Sequence, residues 1–183
     1  MRSTRSAGYS AAAKLFHWVT ALAVLTTIPV ALAMVRVGQG PVQNQLYDLH
    51  RSLGVLVLVL MAARLLWRLY RPAPPLVPGL PDWQMAAATI SHWTLYAVLL
   101  AMPVLGWAGT SAFGAPIMVF DLFEWPAMLD KDEQLANVLL RLHRWLGFAL
   151  AGLLALHVGA ALHHHFIRGD ETLRRMLPGY RSD

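Results

Sequence analysis

Cysteine is absent from this 183-residue chain, and charged residues are scarce. The absence of cysteine excludes disulfide bonds, iron–sulfur clusters and thiolate metal ligands. Charged residues make up 14% of the sequence, against about 25% in a typical soluble domain. Apolar residues make up 57%, and the length suits one domain rather than several. These proportions favour a membrane protein.

Four apolar segments are each long enough to cross a bilayer, which takes about 20 residues. They cover approximately residues 15–37, 46–69, 86–107 and 138–166. The net charge of +5 does not indicate nucleic-acid binding, because the basic residues punctuate these runs and do not cluster on a polar domain. We therefore expect residues 1–183 to form a single all-α transmembrane domain in lipid, an up-down four-helix bundle with a short tail over 167–183.

The connections between these segments differ in character. The proline-rich stretch RPAPPLVPGLPDW separates the second and third segments and cannot continue a helix. Residues 111–137 form a longer connection, in which FDLFEW mixes apolar and acidic side chains as an interfacial segment would.

The first segment has an alternative interpretation as a signal peptide. Arg2 and Arg5 precede the apolar run, and Ala31-Leu32-Ala33 resembles a cleavage site. The run is long for a signal peptide, however, and cleavage would discard His17. A membrane helix is therefore the favoured interpretation.

The distribution of lysine and arginine predicts the orientation, because cytoplasmic loops carry the excess of basic residues. The side with both termini holds ten: Arg2, Arg5, Lys14, Arg64, Arg68, Arg71, Arg168, Arg174, Arg175 and Arg181. The other side holds five, Arg36, Arg51, Lys131, Arg141 and Arg144, together with six acidic residues. Both termini are predicted to be cytoplasmic.

Histidines at matching depths are the main functional signal, since ionisable residues within membrane segments are costly and usually functional. His143 and His157 are 14 residues apart on one predicted helix, which is about 21 Å along the axis and about 40° short of four turns. They face the same way at opposite depths. The up-down topology matches His17 to the depth of His157 and His50 to that of His143, which gives two bis-histidine pairs.

Two facing imidazoles in an apolar bundle suit haem better than zinc. Zinc would need further ligands that the sequence does not supply there, whereas haem needs two axial ligands and a flat apolar slot. Gly54 and Gly147 each lie four residues after a paired histidine and would leave room for the ring, although glycine is also common at membrane helix contacts. The motif CxxCH is absent, so the prediction is two non-covalent b-type haems.

The two histidines at the far side lie in near-repeats, LHRSLG at 49–54 and LHRWLG at 142–147. Three roles remain open for the arginine of each repeat, Arg51 or Arg144: pairing with a haem propionate, forming a positive patch above the haem, or anchoring a helix end at the interface.

The chain resembles the bacterial cytochrome b561 family of four-helix dihaem membrane cytochromes over nearly its whole length. The resemblance is carried by KLFHW, LHRSLG with VLVLMAARLLWRL, the PAPP loop, ALHVGAALHHHF and DETLRRMLP. It implies a multi-pass protein of the bacterial inner membrane, with axial ligands His17, His50, His143 and His157. These are the four histidines that depth and helical phase select.

Resemblance to one branch of that family implies superoxide oxidation at the periplasmic face and electron transfer to ubiquinone. Arg51, Arg141 and Arg144 near the periplasmic haem would attract the superoxide anion, although the acidic stretch at 130–133 opposes this unless it points elsewhere. His164, seven residues after His157, is the first choice for a quinone contact that supplies protons.

The remaining histidines have weaker assignments. His92, at the cytoplasmic end of the third helix, is the second choice for a quinone contact. His163 and His165 point elsewhere than His164, and we expect at least one of them to be an interfacial anchor.

Two other functions are compatible with parts of the sequence. A cytochrome b subunit could relay electrons between a periplasmic hydrogenase or dehydrogenase and the quinone pool, with residues 111–137 as the docking surface for this redox partner. A non-redox four-helix transporter would leave the depth-matched histidines unexplained.

Overall fold

The computed structural model describes residues 7–180 and contains four long helices. They are α1 (Ala11–Met34), α2 (Pro41–Tyr70), α3 (Asp82–Phe113) and α4 (Glu133–His163). All four are long and apolar enough to span a membrane, the last together with the helical turn that follows it. The expected four-helix membrane bundle is confirmed.

Each helix begins four or five residues before the expected start, because hydropathy marks the part of a helix in lipid and not its polar first turn. Ser10 caps α1 by accepting a hydrogen bond from the backbone N–H of Ala13 (3.3 Å). Pro41 occupies the first turn of α2. Asp132 caps α4 by accepting from the N–H of Leu135 (2.9 Å).

Three helix C-termini also differ from expectation. α4 ends at His163 rather than at residue 166, and a π-helical turn (His164–Arg168) continues it. α1 ends at Met34 rather than at residue 37, and Gln43 Nε2 donates to the carbonyls of Met34 (3.0 Å) and Val37 (3.1 Å) that the ending leaves exposed. α3 continues to Phe113 rather than 107 and ends at Gly114, whose φ of +83° suits the left-handed helix cap.

A short hairpin between α3 and α4 adds β structure to the expected all-α fold. Strands β1 (Ile117–Val119) and β2 (Phe123–Trp125) pair antiparallel, with Ile117 opposite Trp125. Ser52 of α2 holds the turn, since its Oγ donates to the carbonyl of Met118 (3.0 Å) and accepts from the N–H of Phe120 (2.9 Å). The expected interfacial segment is thus a structured cap on the bundle.

Neighbouring helices run in opposite directions. Trp67 Nε1 near the end of α2 donates to Ser10 Oγ before α1 (3.3 Å), and Asp132 N before α4 donates to Ala112 O near the end of α3 (2.8 Å). Both described chain ends therefore lie at one end of the bundle, which we call the terminal end; the opposite is the hairpin end. Assignment of the terminal end to the cytoplasm stays a prediction, and Arg2, Arg5 and Arg181 of that argument lie outside the described residues.

The packing of the bundle is uneven. α1 packs on α2, α2 on α3 and α3 on α4, whereas α4 scarcely approaches α1 or α2. The main core centres on Met61 (1% exposed) of α2 and Tyr96 and Leu99 of α3. Only Ala136 and Leu150 of α4 are buried. α4 is therefore held mainly by α3, and its backbone stands apart from the two helices that carry His17 and His50.

The chain after α4 folds back onto the start of α1. A π-helical turn (His164–Arg168) and a 3-10 turn (Arg174–Met176) shape this tail. Arg175, only 3% exposed, donates from Nε to the carbonyl of Ala7 (2.7 Å), and Lys14 Nζ donates to the carbonyl of Tyr180 (3.0 Å). The predicted short tail is therefore an ordered part of the terminal end.

Candidate cofactor site

At the hairpin end, the rings of His50 on α2 and His143 on α4 meet edge-on, with centroids 5.9 Å apart and ring planes at 85°. Nδ1 of His143 lies 2.9 Å from the carbonyl of Met102, and since a carbonyl can only accept, Nδ1 carries the proton. In the neutral ring Nε2 is then available as a metal ligand, as in metal-binding histidines oriented by a backbone carbonyl.

His50 is less constrained than His143. Its Nδ1 is buried and has no hydrogen-bond partner among the described residues, and the Thr27 backbone interacts with the ring without meeting hydrogen-bond geometry. A buried polar atom without a partner is costly, which makes this ring a candidate for binding something further.

A cavity of about 450 Å³ adjoins this pair and is lined by both histidines. Gly54 also lines it, and a Cβ added at Gly54 would meet no atom within 4 Å, so this glycine opens onto space. A Cβ at Gly106 of α3 would lie 3.0 Å from Cε1 of His143, so only glycine lets α3 approach this ring so closely. Gly147 does not line the cavity; a Cβ there would lie 3.5 Å from Cε of Met102.

At the terminal end, three imidazoles come together. The ring centroid of His157 on α4 is 6.3 Å from that of His17 on α1 and 5.6 Å from that of His92 on α3. Nη2 of Arg64 lies 3.0 Å from Nδ1 of His17, and because arginine can only donate, Nδ1 is the acceptor. The proton of a neutral His17 is then on Nε2, so a metal can bind Nε2 only if that proton leaves or Arg64 releases Nδ1.

Both pairs have a ring spacing compatible with a shared metal, as do the rings of His92 and His157 at 5.6 Å. A transition metal binds an imidazole nitrogen at about 2 Å, so two rings that face one metal from opposite sides have centres about 6 Å apart. The observed separations are 5.9 and 6.3 Å. Each pair also bridges α4 and a helix that it scarcely touches otherwise, which is the place where a flat cofactor fits between helices.

The two arginines of the repeated motif have different surroundings. Arg51 lines the cavity, and its Nη1 pairs with Oδ1 of Asp48 (3.2 Å) and donates to the carbonyl of Pro116 (3.4 Å). Arg144 is exposed on α4. The charge of Arg51 is therefore partly compensated by Asp48, whereas the side chain of Arg144 is exposed at the surface of the bundle.

The three consecutive histidines at the end of α4, His163, His164 and His165, also have different surroundings. Nδ1 of His164 lies 2.6 Å from Oδ2 of Asp170, and both side chains are mostly buried. His163 is exposed, and its role as an interfacial anchor stays a prediction. His165 stacks edge-on against Phe166 at 4.7 Å between centroids, and its Nδ1 is buried without a hydrogen-bond partner among residues 7–180.

Comparison with known proteins identifies the family. The profile of the prokaryotic cytochrome b561 family matches residues 8–179. The chain belongs to this family. Cytochrome b561 homolog 2 of Escherichia coli (strain K12) is 34% identical to it over 96% of this chain and 94% of the relative.

Two further cytochrome b561 relatives are of similar identity. Cytochrome b561 homolog 1 of Escherichia coli (strain K12) is 35% identical over 88% of this chain and 92% of its own length. The probable superoxide oxidase CybB of Yersinia pestis is 34% identical over 73% and 76% respectively. Membership of the cytochrome b561 family makes this chain a multi-pass protein of the bacterial inner membrane that binds b-type haem and takes part in electron transfer.

The structure adds three site residues that the sequence reasoning did not assign: Arg64, Gly106 and Asp170. Arg64 did carry a signal, because an arginine inside the run VLVLVLMAARLLW is costly and such residues are usually functional. Gly106 and Asp170 carried none, since their roles depend on which ring the neighbouring element brings against them.

Proposed function

We propose that this cytochrome b561 protein binds two b-type haems and transfers electrons from superoxide, at the hairpin end, to ubiquinone, at the terminal end. His50 and His143 would hold one haem, and His17 and His157 the other. The observation that carries the proposal is the presence of two close histidine pairs at opposite ends of one bundle, each with a ring spacing compatible with a shared metal. When bound, the haems supply one-electron transfer across the apolar thickness of the bundle.

Electron transfer from superoxide balances with reduction of a quinone. Each superoxide ion loses one electron and becomes molecular oxygen. Two such electrons, together with two protons, convert one quinone to its quinol. The protein must therefore attract an anion at one end and supply protons at the other.

The charges at the hairpin end support attraction of an anion. Arg144 is exposed beside His143, and Arg51 lines the cavity that adjoins the paired rings. The opposing acidic stretch is partly compensated, since Lys131 Nζ lies 3.6 Å from Oε1 of Glu133. The relative from Yersinia pestis, named a probable superoxide oxidase, supports the same substrate.

The terminal end offers two candidate contacts for the quinone. His164 is mostly buried and begins the π-helical turn directly after α4, about 10 Å along the axis from His157. His92 is the second candidate, because its ring meets that of His157 directly. Imidazoles exchange protons near neutral pH, as quinone reduction requires.

A second candidate function is that of a membrane subunit taking electrons from a periplasmic protein. The observation that favours it is the hairpin turn, where Leu122 is 79% exposed and Phe123 50% exposed next to the exposed Glu124. Apolar side chains with an acidic rim suit a transient partner as well as a lipid interface.

Reconstitution with both substrates separates these functions. Purified protein, with its haems oxidised, is mixed with a superoxide source and then with a short-chain ubiquinone, while the reduced haem absorption and quinol are measured. The proposal predicts that superoxide reduces haem and that quinone reoxidises it. Haem that dithionite reduces but superoxide does not would favour the partner-protein function, and a protein without a b-haem spectrum would exclude both.

A further inference from the structure

The end of α4 is built to hold one histidine against one carboxylate. The π-helical turn His164–Arg168 ends at Gly169, whose φ of +70° turns the chain back, and the N–H of Asp170 then donates to the carbonyl of His164 (3.1 Å). π-helical turns are rare and are frequently found at functional sites. This turn brings the side chain of Asp170 directly to the ring of His164.

The resulting contact between His164 and Asp170 is short, and further polar groups hold the Asp170 carboxylate in place. Nδ1 of His164 donates to Oδ2 of Asp170 at 2.6 Å, and Oδ1 accepts from the N–H of Thr172 at 2.9 Å. Nε of Arg168 lies 3.3 Å from the same Oδ2. Arg168 in turn donates to Oε1 of Gln84 (3.1 Å) on α3, which ties the turn to the neighbouring helix.

We infer that Asp170 is a positioning residue for proton transfer to the quinone: it fixes the proton of His164 on Nδ1, so that Nε2 is the atom that gives a proton to the reduced quinone. This inference rests on the proposed function and assigns it a second residue. The side chains of His164 and Asp170 are 15% and 18% exposed, so the pair lies at the rim, where water can reach it.

The proton balance is complete at this pair. For each electron that reaches the quinone, the N–H bond at Nε2 of His164 breaks and an O–H bond forms on the quinone. A proton from water at the terminal end then restores the N–H bond. Two such cycles supply the two protons of the quinol, and Asp170 remains a carboxylate throughout.

The charges around the pair explain why the carboxylate is needed. The positively charged Arg168 lies beside the carboxylate of Asp170. The ring centroid of His163 lies 6.0 Å from that of His164. Gln84 and Thr172, the other polar contacts, are neutral. Without Asp170, a protonated His164 would face Arg168 with no compensating negative charge, and a buried uncompensated charge is costly.

The titration of Asp170 agrees with a permanently charged role. Burial raises the pKa of the Asp170 carboxyl, but hydrogen bonds from His164 and Thr172 outweigh this and hold the pKa below its usual value. The carboxylate therefore stays ionised over the whole neutral range.

The test compares Asp170→Asn with Glu171→Gln, which also removes one negative charge from the tail but from a carboxylate that accepts from Tyr180 Oη. Haem is first reduced by superoxide and then reoxidised either by ubiquinone or by ferricyanide, which takes no proton. We expect Asp170→Asn to slow reoxidation by ubiquinone at least about tenfold, since general acid catalysis contributes about 10²–10⁴ in rate. In this variant, the fall in the rate of oxidation by ubiquinone at alkaline pH should begin at a lower pH than in the unsubstituted protein. The KM for quinone should change little. Ferricyanide oxidation and both rates of Glu171→Gln should match the unsubstituted protein.

Several results would overturn the inference. An unchanged ubiquinone rate in Asp170→Asn, or equal slowing by ferricyanide, would show that the carboxylate does not act on protons. If Asp170→Asn fails to fold, Asp170→Glu is used instead, because it keeps the charge and shifts the carboxylate by one methylene. Intermediate slowing of the oxidation by ubiquinone, without slowing of the oxidation by ferricyanide, would support the role. No slowing of the oxidation by ubiquinone would overturn it. Failure of ubiquinone to reoxidise the unsubstituted protein would instead overturn the proposed function, and the inference with it.

Discussion

The histidine pairs at the two ends of the bundle have similar ring separations but different electrostatic surroundings. At the hairpin end, a backbone carbonyl orients His143, and Arg51 is paired with Asp48. Arg144, next to His143, has no ion pair among the described residues but is exposed, so its charge is screened. At the terminal end, Arg64 contacts His17 itself and lies 5.3 Å from the ring centre of Tyr96. Within residues 7–180 no ion pair involves Arg64 or its neighbour Arg68, which lies over Trp93 at 5.7 Å.

This difference predicts a direction for electron transfer between the two ends of the bundle. An uncompensated positive charge beside a metal ligand favours the state that holds one more electron, whereas a compensated charge does so less. If each pair holds a haem as proposed, the haem at the terminal end would be the better electron acceptor of the two. Electrons that enter at the hairpin end would move toward the terminal end, as the proposed reaction requires.

Removing the histidines should have the largest effect and should divide them by end. We expect His50→Ala and His143→Ala to abolish the same haem signal, and His17→Ala and His157→Ala to abolish the other, because loss of an axial ligand acts locally. The measurement is the low-temperature spectrum of the reduced protein together with haem content. A shared phenotype for His50→Ala and His17→Ala would contradict the pairing.

Filling the space at Gly54 should affect the hairpin end alone. Gly54→Leu places a side chain in the cavity beside His50, and we expect that haem to be lost while the other is retained. Gly152→Leu is the matched control, because a Cβ at Gly152 also meets nothing within 4 Å but this glycine is exposed on the outside of α4. Retention of both haems in Gly54→Leu would show that Gly54 does not clear space for the ring.

Neutralising Arg64 should reduce the difference between the two ends. We expect Arg64→Gln to lower the midpoint potential of the terminal-end haem by tens of millivolts, where about 59 mV corresponds to a tenfold change in a one-electron equilibrium. A redox titration followed by the haem spectrum measures it. Arg71→Gln, at the exposed end of α2, should change neither potential; an equal shift in that control would mean that Arg64 has no special position.

Neutralising the arginines at the hairpin end should have the smallest effect, on rate and not on haem content. We expect Arg51→Gln with Arg144→Gln to slow haem reduction by superoxide a few-fold and to flatten its ionic-strength dependence, since screening acts over about 10 Å at 0.1 M salt. Arg144→Gln alone should account for most of it, because Asp48 compensates Arg51.

An uncharged reductant provides the control for this double variant. Equal slowing with that reductant would exclude steering of the anion. Loss of haem would point instead to arginines that hold propionates, and no change in either property would leave them as interfacial anchors.

The sequence predicted the features that have a long or regular signal, namely the long apolar runs and the spacing of histidines along a helix. Four apolar runs gave four helices, and the spacing of His143 and His157 along one helix correctly placed their rings near those of His50 and His17. The role of these histidines as ligands stays a prediction. Helix ends were less accurate, because capping by Ser10 and Asp132 lies outside the apolar runs that hydropathy detects.

Features that depend on irregular backbone were not predictable. Each hairpin strand has three residues, too short for an alternating pattern, and the hairpin is held by Ser52 from a distant helix. Asp170 meets His164 only because a π turn and Gly169 reverse the chain between them. Arg64 was visible as a charge in an apolar run, but its contact with His17 required the packing of α1 on α2.

The central claim is that each close histidine pair holds one b-type haem, and haem quantification against polypeptide tests it most directly. Extraction of haem from the purified protein, with protein determined by amino-acid analysis, should give two haems per chain, and the same measurement on His143→Ala should give one. One haem per chain in the unsubstituted protein, or two in the variant, would contradict the account.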